Sequence, residues 1–129
     1  MNKKTKINQI YKCNICGNII EVLHSGVGQL VCCNQEMELL IPKTKDIGNE
    51  KHLPVITRTN TDIKVKVGSI SHPMEEDHYI EYVEIISEDG LCRQSLKPGD
   101  KAEINLKVKK NDKVRARAYC NIHGLWGTE

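Results

Sequence analysis

Cys120-Asn121-Ile122-His123-Gly124 sets a thiol and an imidazole three residues apart, with a glycine directly behind them. The run before it, Lys113-Val114-Arg115-Ala116-Arg117-Ala118-Tyr119, alternates strictly. As a β-strand it puts Val114, Ala116, Ala118 and Cys120 on one face, and the basic residues with Tyr119 on the other. The Cys120 sulfur then points inward at a strand end, and Gly124 permits a sharp turn after His123. Such a pair can hold a metal from two directions. Taken alone, it reads more readily as a buried thiol and a loop histidine. Partners elsewhere in the chain shift that balance: His52, His72 and His78 all lie in segments rich in turn formers. Pro73 biases His72 toward an extended backbone, and His52 sits just ahead of Pro54.

A second set of donors lies near the N-terminus, Cys13-Asn14-Ile15-Cys16-Gly17 followed by Cys32-Cys33. The Cys-x-x-Cys turn aims two thiolates at one point, and the residue after it is not the histidine of a c-type haem site. Adjacent cysteines cannot form the same chelate loop. The expectation is a distorted tetrahedral four-sulfur site, with an opened angle at Cys32-Cys33. A segment this short cannot be stabilised by burial alone, so metal binding is coupled to its folding. Zinc and iron both suit four thiolates, and spacing does not decide between them. His24 reads as a solvated loop residue rather than a ligand. The remaining thiol, Cys92, reads as a small buried hydrophobe in a strand.

These donors need a scaffold, and the rest of the chain is β in character. Ile63, Val65 and Val67 alternate with lysines; Tyr79 to Ile86 is β-rich; Ala102, Ile104, Leu106 and Val108 alternate with polar residues. Turn signals separate these runs at Gly68, Glu88-Asp89-Gly90, Lys97-Pro98-Gly99-Asp100 and Lys110-Asn111-Asp112. The pattern predicts a mostly β chain, a small metal module followed by an immunoglobulin-like antiparallel sandwich. The expected division is 1–37 for the module and 38–129 for the sandwich. Residues 38–49 serve as a connector, in which Leu39-Leu40-Ile41 forms a short strand stopped by Pro42.

Nineteen basic and seventeen acidic residues leave a net charge of +2 in 129 residues, which argues against nucleic-acid binding. Four Tyr, one Trp and no Phe offer no stacking platform for bases. Neither an apolar signal core nor a transmembrane span is legible, so the expected location is the cytoplasm, away from membranes. There six cysteines stay reduced and point to metal or redox chemistry.

Two resemblances sharpen this reading. Tyr11-Lys12-Cys13-x-x-Cys16-Gly17-Asn18 and Glu21-Val22-Leu23-His24-x-Gly26-x-Gly28-x-Leu30-Val31-Cys32-Cys33 resemble the desulforedoxin module, in which four cysteines hold one iron. Where that family continues Gly-x-Pro-Met, this chain reads Asn34-Gln35-Glu36-Met37. Asparagine tolerates the left-handed backbone, so the turn is expected to survive. The lost proline bears on rigidity, not on the ligands.

The second half is similar to the catalytic domain of desulfoferrodoxin and neelaredoxin, the non-haem iron superoxide reductases. The motifs are Glu50-Lys51-His52-x-Pro54-Val55-Ile56, Val67-Gly68-Ser69-x-x-His72-Pro73-Met74-Glu75-Glu76-x-His78-Tyr79-Ile80-Glu81, Leu96-Lys97-Pro98-Gly99-Asp100 and Ala118-Tyr119-Cys120-Asn121-Ile122-His123-Gly124-Leu125-Trp126. Tyr82 departs from a common Trp. The resemblance implies two irons per chain, one tetrahedral on Cys13, Cys16, Cys32 and Cys33. The other is square-pyramidal, with His52, His72, His78 and His123 around an equator and Cys120 as axial thiolate. It implies one-electron reduction of superoxide to hydrogen peroxide without dioxygen release. Lys51 would draw in the anion, and the Glu50 carboxylate would bind the oxidised centre. Rubredoxin or a similar carrier would supply electrons, and the chain would be a homodimer. The competing readings are a zinc- or iron-binding structural or electron-transfer protein, and a superoxide dismutase.

Overall fold

The computed structural model describes residues 4–45, 51–108 and 112–128, and among them every regular element is a β-strand. The chain divides into two compact units, one ending at Ile41 and the other starting at Pro42.

The first unit contains β1 (Ile10–Lys12), β2 (Ile19–Glu21), β3 (Val31–Cys32), β4 (Gln35–Glu36) and β5 (Glu38–Leu40). β1 is the middle strand of a sheet ordered β2-β1-β5, and β3 and β4 form a separate hairpin. The strand expected at residues 39–41 begins one residue earlier and pairs with β1, with Ile10 opposite Leu40 and Lys12 opposite Glu38. This pairing satisfies the second edge of β1, which is why the unit continues to Ile41 instead of stopping at residue 37. Its apolar interior is small: Ile10, Val22 and Met37, beside Cys13.

The second unit is a sandwich of two antiparallel sheets. One holds β6 (Pro54–Arg58), β7 (Asp62–Val67) and β10 (Glu103–Lys107) in the order β10-β7-β6. The other holds β8 (Ile80–Ser87), β9 (Gly90–Ser95), β11 (Arg115–Cys120) and β12 (Gly124–Gly127) in the order β12-β11-β8-β9. Alternation decides what faces inward. Ile63, Val65 and Val67 of β7 pack with Val83 and Ile85 of β8 and with Ala116, Ala118 and Cys120 of β11. Ala116 and Ala118 are small, which allows β11 to lie at the centre of the core.

Cys92 departs from expectation: its side chain is exposed. It lies opposite Ile85, but on β9, the edge strand of its sheet. There it lines an open cleft of about 410 Å³ with Leu91, Leu106 and Val108. The neighbours that would bury it are missing at a sheet edge.

The opposite face of the four-stranded sheet carries an ion row. Glu84 of β8 is in register with Arg117 of β11 and Arg93 of β9. It accepts from Arg117 Nη2 at 2.6 Å and from Arg93 Nε at 3.3 Å. Glu84 is fully buried and Arg117 nearly so. Beside them Tyr82 and Tyr119 stack, with ring centroids 5.7 Å apart. The row locks β8 and β11 in register, and those strands carry donors at their ends. Replacing Arg117 by Met strands a buried carboxylate. It should lower stability by about 3 kcal/mol in urea unfolding at fixed metal content. Arg93→Met, at a more exposed position, should cost less than about 1 kcal/mol.

Candidate metal centres

Four histidines and a cysteine meet at one end of the sandwich. His52 stands just ahead of β6, His72 and His78 lie in the β7–β8 connection, Cys120 ends β11, and His123 occupies the turn into β12. Each turn has a local cause. Gly124 has φ of 88°, a left-handed backbone that makes the sharp turn expected after His123. Gly68 has φ of 82°, and a Cβ there would lie 2.5 Å from the Lys51 carbonyl oxygen. Its N–H donates to Leu53 at 2.8 Å, so the end of β7 clasps the segment bearing His52. A register shift between β8 and β11 falls at Tyr119/Cys120, so Cys120 pairs with Ile80 and Glu81 is skipped. Such irregularities re-aim side chains at a sheet end.

The donor atoms lie within 4.8 Å of one another. The ring centroids form a closed cycle: His52–His72 4.9 Å, His72–His78 4.9 Å, His78–His123 5.0 Å and His123–His52 4.6 Å. His123 Nδ1 is 3.0 Å from His52 Nε2 and 3.2 Å from His78 Nε2. Two imidazole nitrogens at right angles around a metal, each bonded at about 2.1 Å, would be separated by roughly 3.0 Å. The Cys120 sulfur is 3.7 Å from His123 Nδ1 and accepts the His123 backbone N–H at 3.4 Å. His72 Nδ1 is 2.7 Å from the Pro73 carbonyl, which fixes it as the N–H. Its Nε2 is then the lone-pair atom, buried and without a hydrogen-bond partner. Burial holds the His72 ring down to about 4, only partly opposed by the Pro73 carbonyl, so it stays neutral at physiological pH. A buried, unprotonated nitrogen facing three other imidazoles and a thiol fits a metal ion.

The four cysteines of the first unit also converge. Cys16 and Cys32 sulfurs are 3.5 Å apart, and Cys32 and Cys33 sulfurs 3.9 Å. A tetrahedron of sulfurs at about 2.3 Å from a metal has edges of roughly 3.8 Å, whereas a disulfide is about 2.05 Å. The adjacent pair is accommodated by left-handed backbone at Cys33 (φ 52°) and Asn34 (φ 61°). The Cys13 thiol is drawn down to about 6 by backbone N–H groups of Cys16 and Ile15. Cys32 is pushed up to about 12 by its contacts with Cys16 and Cys13, and Cys33 is also raised, chiefly through Cys16. Four crowded sulfurs cannot all ionise without a cation, so the donor set calls for one. His24 is exposed and outside the cluster.

The desulfoferrodoxin family profile matches residues 44–129, and that of the desulfoferrodoxin N-terminal domain matches 5–40. The chain belongs to the desulfoferrodoxin family. The desulfoferrodoxin homolog of Archaeoglobus fulgidus is 57% identical over 95% of this chain and 97% of its own length. That of Methanothermobacter thermautotrophicus is 54% identical over 95% and 98%. The crystal structure of the superoxide reductase from Treponema pallidum superposes with a TM-score of 0.75 at 25% identity, covering 94% of this chain and 97% of that one. The two donor sets of this chain fit two iron centres.

Lys51 adjoins His52 and is half-buried, while Glu50 lies outside the described residues. Two supports were not foreseen. Trp126 stacks on His52, centroids 4.6 Å apart and planes 17° from parallel. Asn121 accepts from the Tyr79 N–H at 2.9 Å and donates to the Asp77 carbonyl at 3.0 Å, bracketing His78. An amide directly after Cys120 was the only signal, since an amide can donate and accept at once. Asn121→Ala should cost about 1–2 kcal/mol of thermal stability, the size of two hydrogen bonds. It should also loosen His78, seen as faster metal loss to a chelator from this centre while the four-cysteine centre is unaffected.

Proposed function

We propose that this chain is a superoxide reductase, consuming one electron and two protons per superoxide to give hydrogen peroxide. The carrying observation is the closed ring of four imidazoles with one buried thiol at its edge. Family membership and the likeness to a superoxide reductase structure support it. Iron bound there would supply the electron as the ferrous ion. His52, His72, His78 and His123 would hold it as neutral donors, and Cys120 as the thiolate. One thiolate against a divalent ion leaves a local charge of about +1, which attracts an anion. The His123 N–H donated to the Cys120 sulfur moderates how much density that sulfur gives up.

Lys51 adds a cation beside His52 and raises the encounter rate. It also orders water that delivers protons. Glu50 would supply a carboxylate to the oxidised iron. The four-cysteine centre is saturated by its thiolates and is left with electron transfer or fold stabilisation.

Residues up to Ile41 form one functional domain and the sandwich the other. A rubredoxin-like carrier restores the reduced state. The chain works as a homodimer in the cytoplasm. Support for a partner surface is the exposure of Leu23 (80%), Ile41 (76%) and Val27 (66%) on a small unit. Support for a reducing compartment is that five of the six cysteines converge as donors in two clusters, a role that needs thiolates.

Mixing reduced protein with superoxide under anaerobic conditions should yield hydrogen peroxide and no oxygen. Oxygen at about half the superoxide consumed, the stoichiometry of dismutation, would defeat this reading in favour of a dismutase. Cys120→Ser should abolish turnover, a loss of at least about 100-fold, with the four-cysteine centre still filled; full activity would remove Cys120 from the centre. Lys51→Ala should slow capture of superoxide about ten-fold at low salt and flatten its salt dependence.

A further inference from the structure

We propose that Lys43 is a positioning residue for the four-histidine, one-cysteine centre, clamping the peptide of one ligand and the ring that supports another. The inference rests on reading that cluster as a metal centre, and not on superoxide as the substrate.

The backbone around Lys43 is zipped to β12. Its N–H donates to Leu125 at 2.9 Å, its carbonyl accepts from Gly127 at 2.9 Å, and it forms a parallel bridge with Trp126. Gly127 makes this approach possible, since a Cβ there would lie 3.0 Å from the Pro42 Cβ. With its main chain fixed, the side chain runs back toward the start of β12. The ammonium donates to the His123 carbonyl at 2.8 Å and lies 5.0 Å from the centre of the Trp126 ring. The same carbonyl accepts the indole N–H at 3.2 Å. Trp126 in turn stacks on His52.

Lys43 therefore reaches two ligands by two routes. One is a charge-assisted hydrogen bond to the His123 carbonyl, on a residue whose own N–H, in the preceding peptide, donates to the Cys120 sulfur. The other is a cation over the indole that backs His52. Lys43 is exposed, where a lysine ordinarily stays solvated and mobile. Two specific partners and a pinned backbone give it one place to be.

The test uses iron-loaded full-length protein with Lys43→Met and Lys43→Arg. Iron loss to EDTA is followed at each centre by its own thiolate-to-iron absorption, together with the emission of Trp126, the chain's one tryptophan. Lys43→Met should release iron from the mixed-ligand centre roughly five- to ten-fold faster, the scale of one charge-assisted hydrogen bond with a cation–π contact. It should also shift that centre's sulfur absorption and the Trp126 emission. Lys43→Arg should restore all three, and the four-cysteine centre should not change. Release within two-fold of the parent with unaltered spectra would overturn the proposal. So would equal acceleration at both centres, or no rescue by Arg. None of these readouts requires superoxide, so a failed peroxide assay would leave this result standing, and the reverse.

Discussion

Everything in the second unit depends on bringing five lone-pair donors to one point from four places in the chain. Without a cation such an arrangement is unfavourable: neutral imidazoles offer one N–H each, and donors facing each other cannot all be satisfied. The cost is met by the scaffold. Each donor sits within a few residues of a strand end or a tight turn, and the strands are fixed by a dense apolar core. The ligands are thus held by rigid elements, and the metal meets a site already shaped for it.

The same requirement explains features that look unrelated. Gly68 is needed because the backbone bearing His52 lies too close for any side chain. The register shift beside Cys120 lets the strand end where the sulfur is wanted. Asn121 ties the His78 segment to the turn after Cys120, and Trp126 backs His52. The buried Glu84–Arg117 pair sits along the strands that lead there, where a slip of one residue would turn Cys120 out of the core. The four-cysteine unit solves a related problem differently. It has little apolar interior, so backbone N–H groups around Cys13 and a left-handed turn at Cys33-Asn34 shape the site.

Much of this was legible in the sequence. Period-two patterns marked β7, β10 and β11, Asn34 adopts the left-handed backbone its type tolerates, and Gly124 makes the turn read from it. All nine donor side chains singled out from spacing and resemblance fall into two clusters. What the residues concealed depends on tertiary context. Cys92 sits in a strand with alternating neighbours, but nothing local reveals that the strand is an edge. Leu39 and Leu40 read as a connector because their partner is Ile10–Lys12, nearly thirty positions earlier. Lys43 looks like an ordinary charged loop residue until its main chain is seen alongside β12.

The order of the donors along the polypeptide has a consequence for biosynthesis. All four thiols of the first centre lie between positions 13 and 33, whereas the five donors of the second run from 52 to 123. Domains fold as units while the ribosome is still elongating the chain. The sulfur-only site can therefore capture its ion early. The mixed-ligand site stays incomplete until Cys120 and His123 have emerged from the exit tunnel, so it fills later than the first.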